Sequence, residues 1–222
     1  MTEPVNPGKD DRGFMNARDD QAQFLAPVIH SDEICADKDW AKIFGNRNPL
    51  KLDIGCGNGS FLVEMAIAEP HCNFIGIDFY AEGIRRTCRK IMRNQLSNAR
   101  VLHASAKRTL ELCFADESVA AIYVNFPDPW PKRRHGKRRM VQSDFAKLLY
   151  RRLQIGGEIV LATDSETYLG EMLGVLTAVK GLESKYASGI VNSLPNRIET
   201  LYERRYRERG MPIFYAGVQK TK

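Results

Sequence analysis

Between residues 50 and 163 the chain alternates short apolar runs with amphipathic ones, and that rhythm constrains the fold more than any other feature. Leu50 to Ile54, Asn73 to Asp78, Ala99 to His103, Val119 to Asn125 and Gly157 to Thr163 read as strands. Ser60 to Ala68, Ala81 to about Gln95, Lys107 to Phe114, Gln142 to Leu153 and Tyr168 to Val179 read as helices. Their apolar side chains, such as Phe61, Leu62, Met65 and Ala66, or Phe145, Leu148, Leu149 and Leu153, fall on one face. Strands that alternate with helices predict an α/β fold with a mostly parallel, doubly wound sheet.

The flanks are simpler. Asp37 to Phe44 can form a short helix, Thr200 to about Arg209 a charged one, and Met211 to Val218 a last β element. The first residues are polar, with Gly8, Gly13 and three prolines, so residues 1–30 are expected to be a mobile arm. Residues 31–222 are then a single domain, with no internal repeat.

Charge is divided sharply along the chain. Residues 1–128 carry 15 Lys and Arg against 18 Asp and Glu, a net of −3; residues 129–222 carry 18 against 9, a net of +9. A basic excess confined to one part of the chain points to a polyanionic partner docking on one side. A membrane surface fits less well, because no helical stretch opposes a basic face to a large apolar one. No run approaches the ~20 apolar residues of a membrane span, and no apolar leader is visible near the start. The five cysteines, at 35, 56, 72, 88 and 113, lack the paired spacing of a zinc site and read as reduced packing thiols. A cytoplasmic protein without a metal is expected.

The first strand runs into Gly55-Cys56-Gly57-Asn58-Gly59-Ser60 and a helix, a turn whose glycines let the backbone approach a ligand closely. Ser60 stands where a dinucleotide fingerprint has its third glycine. Asp78 closes the second strand, where a carboxylate can accept hydrogen bonds from two ribose hydroxyls, or else serve the next helix as an N-cap. Asp53, just before the turn, would repel a pyrophosphate but attract an ammonium or sulfonium group. The two acids favour S-adenosyl-L-methionine over a nicotinamide dinucleotide as cofactor.

The fourth strand leads into Asn125-Phe126-Pro127-Asp128-Pro129-Trp130-Pro131, followed by six basic side chains between Lys132 and Arg139. Prolines hold such a loop extended and out of the sheet ladder, so Asp128 is presented rigidly at a strand's carboxyl end, where open α/β sheets bind ligands. The loop is related to those with which methyltransferases hold a nucleobase nitrogen. Guanine N7 has a free lone pair, so an acid need only orient the purine and stabilise its developing charge. Asp164, at the end of the fifth strand, is either a second acceptor or the cap of the next helix. Arg204 to Arg209 are further candidate phosphate contacts, as are Arg85, Arg86, Arg89, Lys90 and Arg93, although that helix reads better as an ordinary exposed face.

Over about residues 40–220 the chain resembles the TrmB-type tRNA (guanine-N7-)-methyltransferases. The likeness rests on Asp53 to Gly59, Asn125 to Lys132 with His135 and Lys137 to Arg139, Ala162 to Asp164, and Thr200 to Glu203 with Arg205, Tyr206 and Gly210. It implies a Rossmann-like class I methyltransferase fold with an antiparallel last strand, and methyl transfer to N7 of a guanine in the tRNA variable loop. It also implies cofactor contacts at Asp53, Gly55, Asp78, Ser105 and Asp128, with Asp128 catalytic. Lys132, Asp164, Thr200 and Glu203 would serve the guanine or tRNA, in a monomer or homodimer with no obligate partner subunit. Three positions depart from the family pattern: Asp53 where glutamate is common, Ser105 where Asp or Asn is usual, and Leu201 in place of a lysine. A small-molecule or other RNA methyltransferase, or a non-enzymatic RNA-binding module, is the alternative.

Overall fold

The computed structural model describes residues 28–29, 39–130 and 133–222, with the backbone alone at 28–29, 133 and 135. The expected arm over residues 1–30 therefore lies outside the described residues except for Val28–Ile29, as do Cys35, Pro131 and Lys132.

The elements, in order, are β1 (Val28–Ile29), α1 (Trp40–Phe44), β2 (Leu50–Ile54), α2 (Ser60–Ala68), β3 (Asn73–Asp78), α3 (Ala81–Arg93), β4 (Ala99–His103), α4 (Ala106–Cys113) and β5 (Val119–Asn125). After a 3-10 turn at Arg133–Arg138 come α5 (Ser143–Arg152), β6 (Leu153–Thr163), α6 (Glu166–Thr177), β7 (Leu182–Ser184), β8 (Ile190–Val191), α7 (Leu201–Glu208) and β9 (Phe214–Lys220). The strand order is β1-β4-β3-β2-β5-β6-β9-β7, with β8 also paired to β9. The first six strands in that order are parallel to one another, and β9 is antiparallel to β6, β7 and β8.

The five predicted parallel strands and the antiparallel last strand are all present. Three short strands, β1, β7 and β8, were not expected, since two or three residues leave no readable alternation. The expected fifth strand starts earlier, at Leu153, where the preceding helix was predicted to reach. Its first residues pair irregularly with β5 between Val119 and Ala121, and Gly156 has a positive φ of 78°.

The sheet is covered on both faces, which is why its central strands are apolar almost without interruption. Successive residues alternate between two cores. Ile122 and Val124 face the layer that holds Trp40, Leu110, Phe145, Leu149 and Leu169, whereas Ala121 and Tyr123 face Phe61, Leu62, Ile84 and Ile91. On the second face α2 and α3 cover only part of the sheet. Leu194 and Ile198, in the segment before α7, pack on that core, and Tyr206 of α7 packs beside Phe126, Ala162 and Tyr215.

β9 starts where the parallel strands end, with Phe214 opposite Thr163 and Tyr215 opposite Ala162. The reversal brings α7 and the segment before it to the carboxyl edge of the sheet. At the other end of β9, buried Lys220 donates to the carbonyls of Leu153 (2.9 Å) and Tyr150 (3.2 Å) and to Glu117 (3.0 Å). Those carbonyls end α5, and an unpaired buried acceptor is costly. Lys220→Met is therefore expected to destabilise the chain by about 1–3 kcal/mol, as a lower urea midpoint; an unchanged midpoint would show that water replaces the ammonium.

Candidate active site

The strand order reverses between β2 and β5, so a crevice opens at their carboxyl ends, the usual ligand site of such sheets. On the β2 side lies the glycine turn. Gly55, Gly57 and Gly59 have φ of 75°, 55° and 69°, a region that L side chains rarely adopt. Space enforces the same choice at Gly59, where a Cβ would fall 2.3 Å from Thr87 Cγ2. Gly83 of α3 lies so close to the turn that its Cβ would meet the Gly57 carbonyl at 2.5 Å. α3 therefore buttresses the turn.

Asp78 is not the N-cap of α3, a position held by Tyr80. Its Oδ2 accepts from the Gly57 amide (2.8 Å) and its Oδ1 from the Tyr80 amide (2.8 Å). Two of roughly four acceptor sites on the carboxylate are thus committed to shaping the turn. Ser105 begins α4 as an exposed residue whose side chain makes no capping bond. Gly55, Asp78 and Ser105 come from the ends of three adjacent strands and share one edge of the sheet. Phe79, 78% exposed, and Tyr80, 59% exposed, add aromatic surface beside them.

Asp53 is buried at 3% exposure. Asn125 Nδ2 donates to its Oδ1 at 3.3 Å. Burial pushes its carboxyl from 3.8 up to about 7, a rise opposed by the Asn125 hydrogen bond and the Arg197 charge and assisted by Asp78. A buried acid beside a glycine turn, with no cation bonded to it among the described residues, suits the positively charged end of S-adenosylmethionine. The residues present thus fit that cofactor, with Asp53, Gly55, Asp78 and Ser105 as the groups able to hold it.

On the β5 side, the loop carrying Asp128 is fixed by more than its prolines. Phe126 and Trp130 both have positive φ, 48° and 43°, a conformation unusual enough for bulky residues that surrounding contacts must impose it. The Phe126 amide donates to the Ala162 carbonyl at 2.7 Å. Arg139 donates to the carbonyl oxygens of Pro129 (2.9 Å) and Trp130 (3.5 Å), is paired with Glu171, and lies 5.1 Å over the Tyr168 ring. Arg138 stacks over Trp130 at 5.0 Å. Two members of the predicted phosphate-binding run thus contact the loop itself. Asp128 is exposed, and among the described residues no group donates to its carboxylate. Arg134 and Lys137 are exposed.

Asp164 does not cap α6; Ser165 does, its side chain accepting from the Tyr168 amide. Asp164 instead accepts from Thr163 Oγ1 at 3.4 Å and lies near Tyr206, whose phenol is raised by burial and then by the Asp164 carboxylate. Tyr206 and Tyr202, on one face of α7, both stack on Phe126, at 5.6 Å and 5.7 Å between ring centroids. Tyr202 remains 58% exposed. Thr200 and Glu203 are buried at 5% and 0% exposure and form a capping box, with Thr200 N donating to Glu203 at 2.6 Å and Glu203 N to Thr200 Oγ1 at 3.1 Å. The spacing Thr-x-x-Glu is itself a sequence signature of that cap.

The sequence reading missed Asn125 as an individual participant, together with Arg197 and Tyr202, and did not foresee the contacts of Arg139 with the loop, since all of these depend on distant partners. The group Glu69, His71 and Cys72 could offer ligand atoms within 4.8 Å of one another. There, however, Lys51 is already paired with Glu69, so an ammonium occupies the cation's place.

Because the Asp53 carboxyl is raised, between about pH 4 and pH 7 the folded chain keeps a proton that the unfolded chain has released. Its contribution to stability therefore falls as pH rises through that window. Asp53→Asn, which cannot ionise, should gain stability relative to the parent chain between pH 5 and pH 8, by roughly 1–4 kcal/mol. Urea unfolding at both pH values measures this, and a pH-independent difference would refute it.

Residues 47–216 match the family model described as "Putative methyltransferase". A tRNA (guanine-N(7)-)-methyltransferase of Syntrophotalea carbinolica is 37% identical over 187 residues, covering 84% of this chain and 81% of that protein. Proteins of the same name from Acidithiobacillus ferrooxidans and Idiomarina loihiensis are 38% and 41% identical, over 87% and 79% of this chain and 86% and 72% of their own. The solved structure of the 16S rRNA methyltransferase KamB aligns with a TM-score of 0.62 at 15% identity, covering 84% of this chain and 94% of that one. An antibiotic-related methyltransferase aligns at 0.59 with 18% identity, covering 86% and 94%. These two likenesses concern the fold, which is that of class I S-adenosylmethionine-dependent methyltransferases. With sequence identity of this extent over most of its length, the chain belongs to the tRNA (guanine-N7-)-methyltransferase family.

Proposed function

We propose that this chain transfers a methyl group from S-adenosylmethionine to N7 of a guanine in the variable loop of tRNA, with Asp128 as the catalytic acid. One observation carries the assignment of Asp128: an exposed carboxylate on a clamped, strained loop beside the glycine turn. Ile54 and Val124 pair directly. Since four residues of chain span at most about 14 Å, Asp128 lies within that distance of the strand end next to the turn.

S-adenosylmethionine supplies an electrophilic methyl carbon on a sulfonium. The residues of the chain then have two tasks, alignment and charge. Asp128 can accept hydrogen bonds from the guanine N1–H and N2–H₂ edge and turn N7 toward the methyl carbon. Its negative charge also stabilises the positive charge that develops on the purine. Asp164, which is not used in the cap of α6, serves as a second acceptor on the same edge of the sheet. Thr200 and Glu203 act from beneath, by holding the first turn of α7 and with it the exposed Tyr202 ring. Lys132 belongs to the phosphate-contacting group, with Arg134 and Lys137.

A guanine inside the tRNA must leave its stack to reach this crevice, at a cost of a few kcal/mol that phosphate contacts offset. The excess of 18 basic over 9 acidic residues after Asp128 supports such contacts. The domain is read as residues 31–222 with a preceding arm, working in the cytoplasm as a monomer or homodimer without an obligate partner subunit.

Incubation with labelled S-adenosylmethionine and bulk tRNA, followed by cleavage at N7-methylguanosine, should place the label in the variable loop. Asp128→Ala should lower kcat by at least about 100-fold while tRNA is still retained in a filter assay; a full rate would remove the mechanism. For tRNA, log K should fall with log salt at about 0.7–0.9 per phosphate contacted. A salt-independent affinity would instead indicate a small-molecule substrate.

A further inference from the structure

Asn125 is the last residue of β5, and its side-chain amide is engaged at both ends. Its NH₂ donates to Asp53 at 3.3 Å, and its oxygen accepts from Arg197 at 2.6 Å. Arg197 then forks onto Glu203, with Nε 2.7 Å from Oε1 and a second bond of 3.2 Å to Oε2. Glu203 also accepts from Tyr215 at 2.7 Å. The Arg197 guanidinium lies 5.4 Å over the Phe61 ring and 5.0 Å over that of Tyr215. A continuous, partly buried hydrogen-bonded chain thus runs from the acid below the glycine turn, through the root of the Asp128 loop, to the first turn of α7.

Its order matters. An Arg placed directly on Asp53 would neutralise that carboxylate and remove its demand for a cation. Here the guanidinium pairs with Glu203 instead, whose carboxyl burial would raise but Arg197 holds below its ordinary value. A neutral amide separates the cation from Asp53. We propose that Asn125 and Arg197 are positioning residues. Asn125 keeps Asp53 oriented without pairing it to a cation, so that Asp53 accepts the positive end of S-adenosylmethionine, while the same amide anchors the loop that carries Asp128.

The groups facing Asp53 are Asn125, Arg197, Asp78 and the buried Cys56 thiol, which burial and the charges of Asp53 and Asp78 raise far above its ordinary value. None of them supplies a cation in direct contact. Without cofactor Asp53 therefore holds a proton up to about pH 7, and an arriving cation expels it. The part concerning Asp128 rests on the function proposed above; the part concerning the cofactor does not.

The test is calorimetric titration of the chain with S-adenosylmethionine, without RNA, between pH 6 and pH 8.5 in two buffers of different ionisation enthalpy. Binding should release up to about one proton near pH 6, declining toward zero by pH 8.5 as Asp53 becomes ionised beforehand. Asp53→Asn should abolish the release. Asn125→Ala, which removes the hydrogen bond to Asp53, should move the midpoint of cofactor affinity upward by about one pH unit, with up to about tenfold weaker binding at pH 7.5. It should also lower kcat by more than it raises KM for tRNA. Arg197→Lys keeps the charge and should fall between Asn125→Ala and the parent chain. Identical heats in both buffers at every pH would overturn the proposal using the unaltered chain alone. So would an Asn125→Ala chain that is slower yet keeps the parent midpoint, since that outcome describes a merely structural residue. Proton release without methylation of guanine would sink the function proposed above and leave this inference standing.

Discussion

Parallel pairing of β2 with β5 sets the two halves of this crevice side by side. Asp53 lies opposite Tyr123 and Ile54 opposite Val124, so the glycine turn and the Asp128 loop leave the sheet as neighbours. A slip by one residue would exchange the two faces of the strand. It would send Tyr123 into the wrong core and separate Asp53 from Asn125. The apolar alternation that fills two cores is thus the same constraint that sets two loops side by side.

Charge at the site follows one rule: a buried ion must be paired or give up its charge. Glu203 keeps its charge because Arg197, Tyr215 and the Thr200 amide all meet it. Among the described residues Asp53 has a single amide donor, and its carboxyl rises. Asp128 is exposed to solvent. Three carboxylates around one crevice therefore meet three different environments: one paired with a cation, one buried beside an amide and one at the surface. The basic run shows the same dependence, since Arg139 binds two carbonyls of the Asp128 loop while Lys137 remains at the surface.

Much of this was legible from residue order. The strand and helix positions followed from apolar spacing, and the glycine turn from residues able to take φ near 55–75°. Asp78, at the end of β3, reads from sequence as a ribose acceptor or a helix cap; Tyr80 takes the cap, and the bonds of Asp78 to Gly57 and Tyr80 were not foreseen. The choice at Asp164 stayed open, because Asp164 and Ser165 are both capable caps. Packing settled it by giving Ser165 to the helix and leaving Asp164 outside the cap. Two- and three-residue strands escaped because their pairing comes from neighbours rather than from any pattern of their own.

By itself, then, the sequence determined the parallel α/β sheet, the sharp turn after β2 and the rigid acidic loop after β5. Each depends on interactions within a few residues: backbone torsion, side-chain periodicity, or the missing amide of proline. Only the tertiary structure decided which charges are neutralised. Asn125 meets Asp53 and Arg197 across 72 residues in each direction. Such partners are chosen by strand register and by the segment that closes over the second face of the sheet, and nothing local in the chain encodes them.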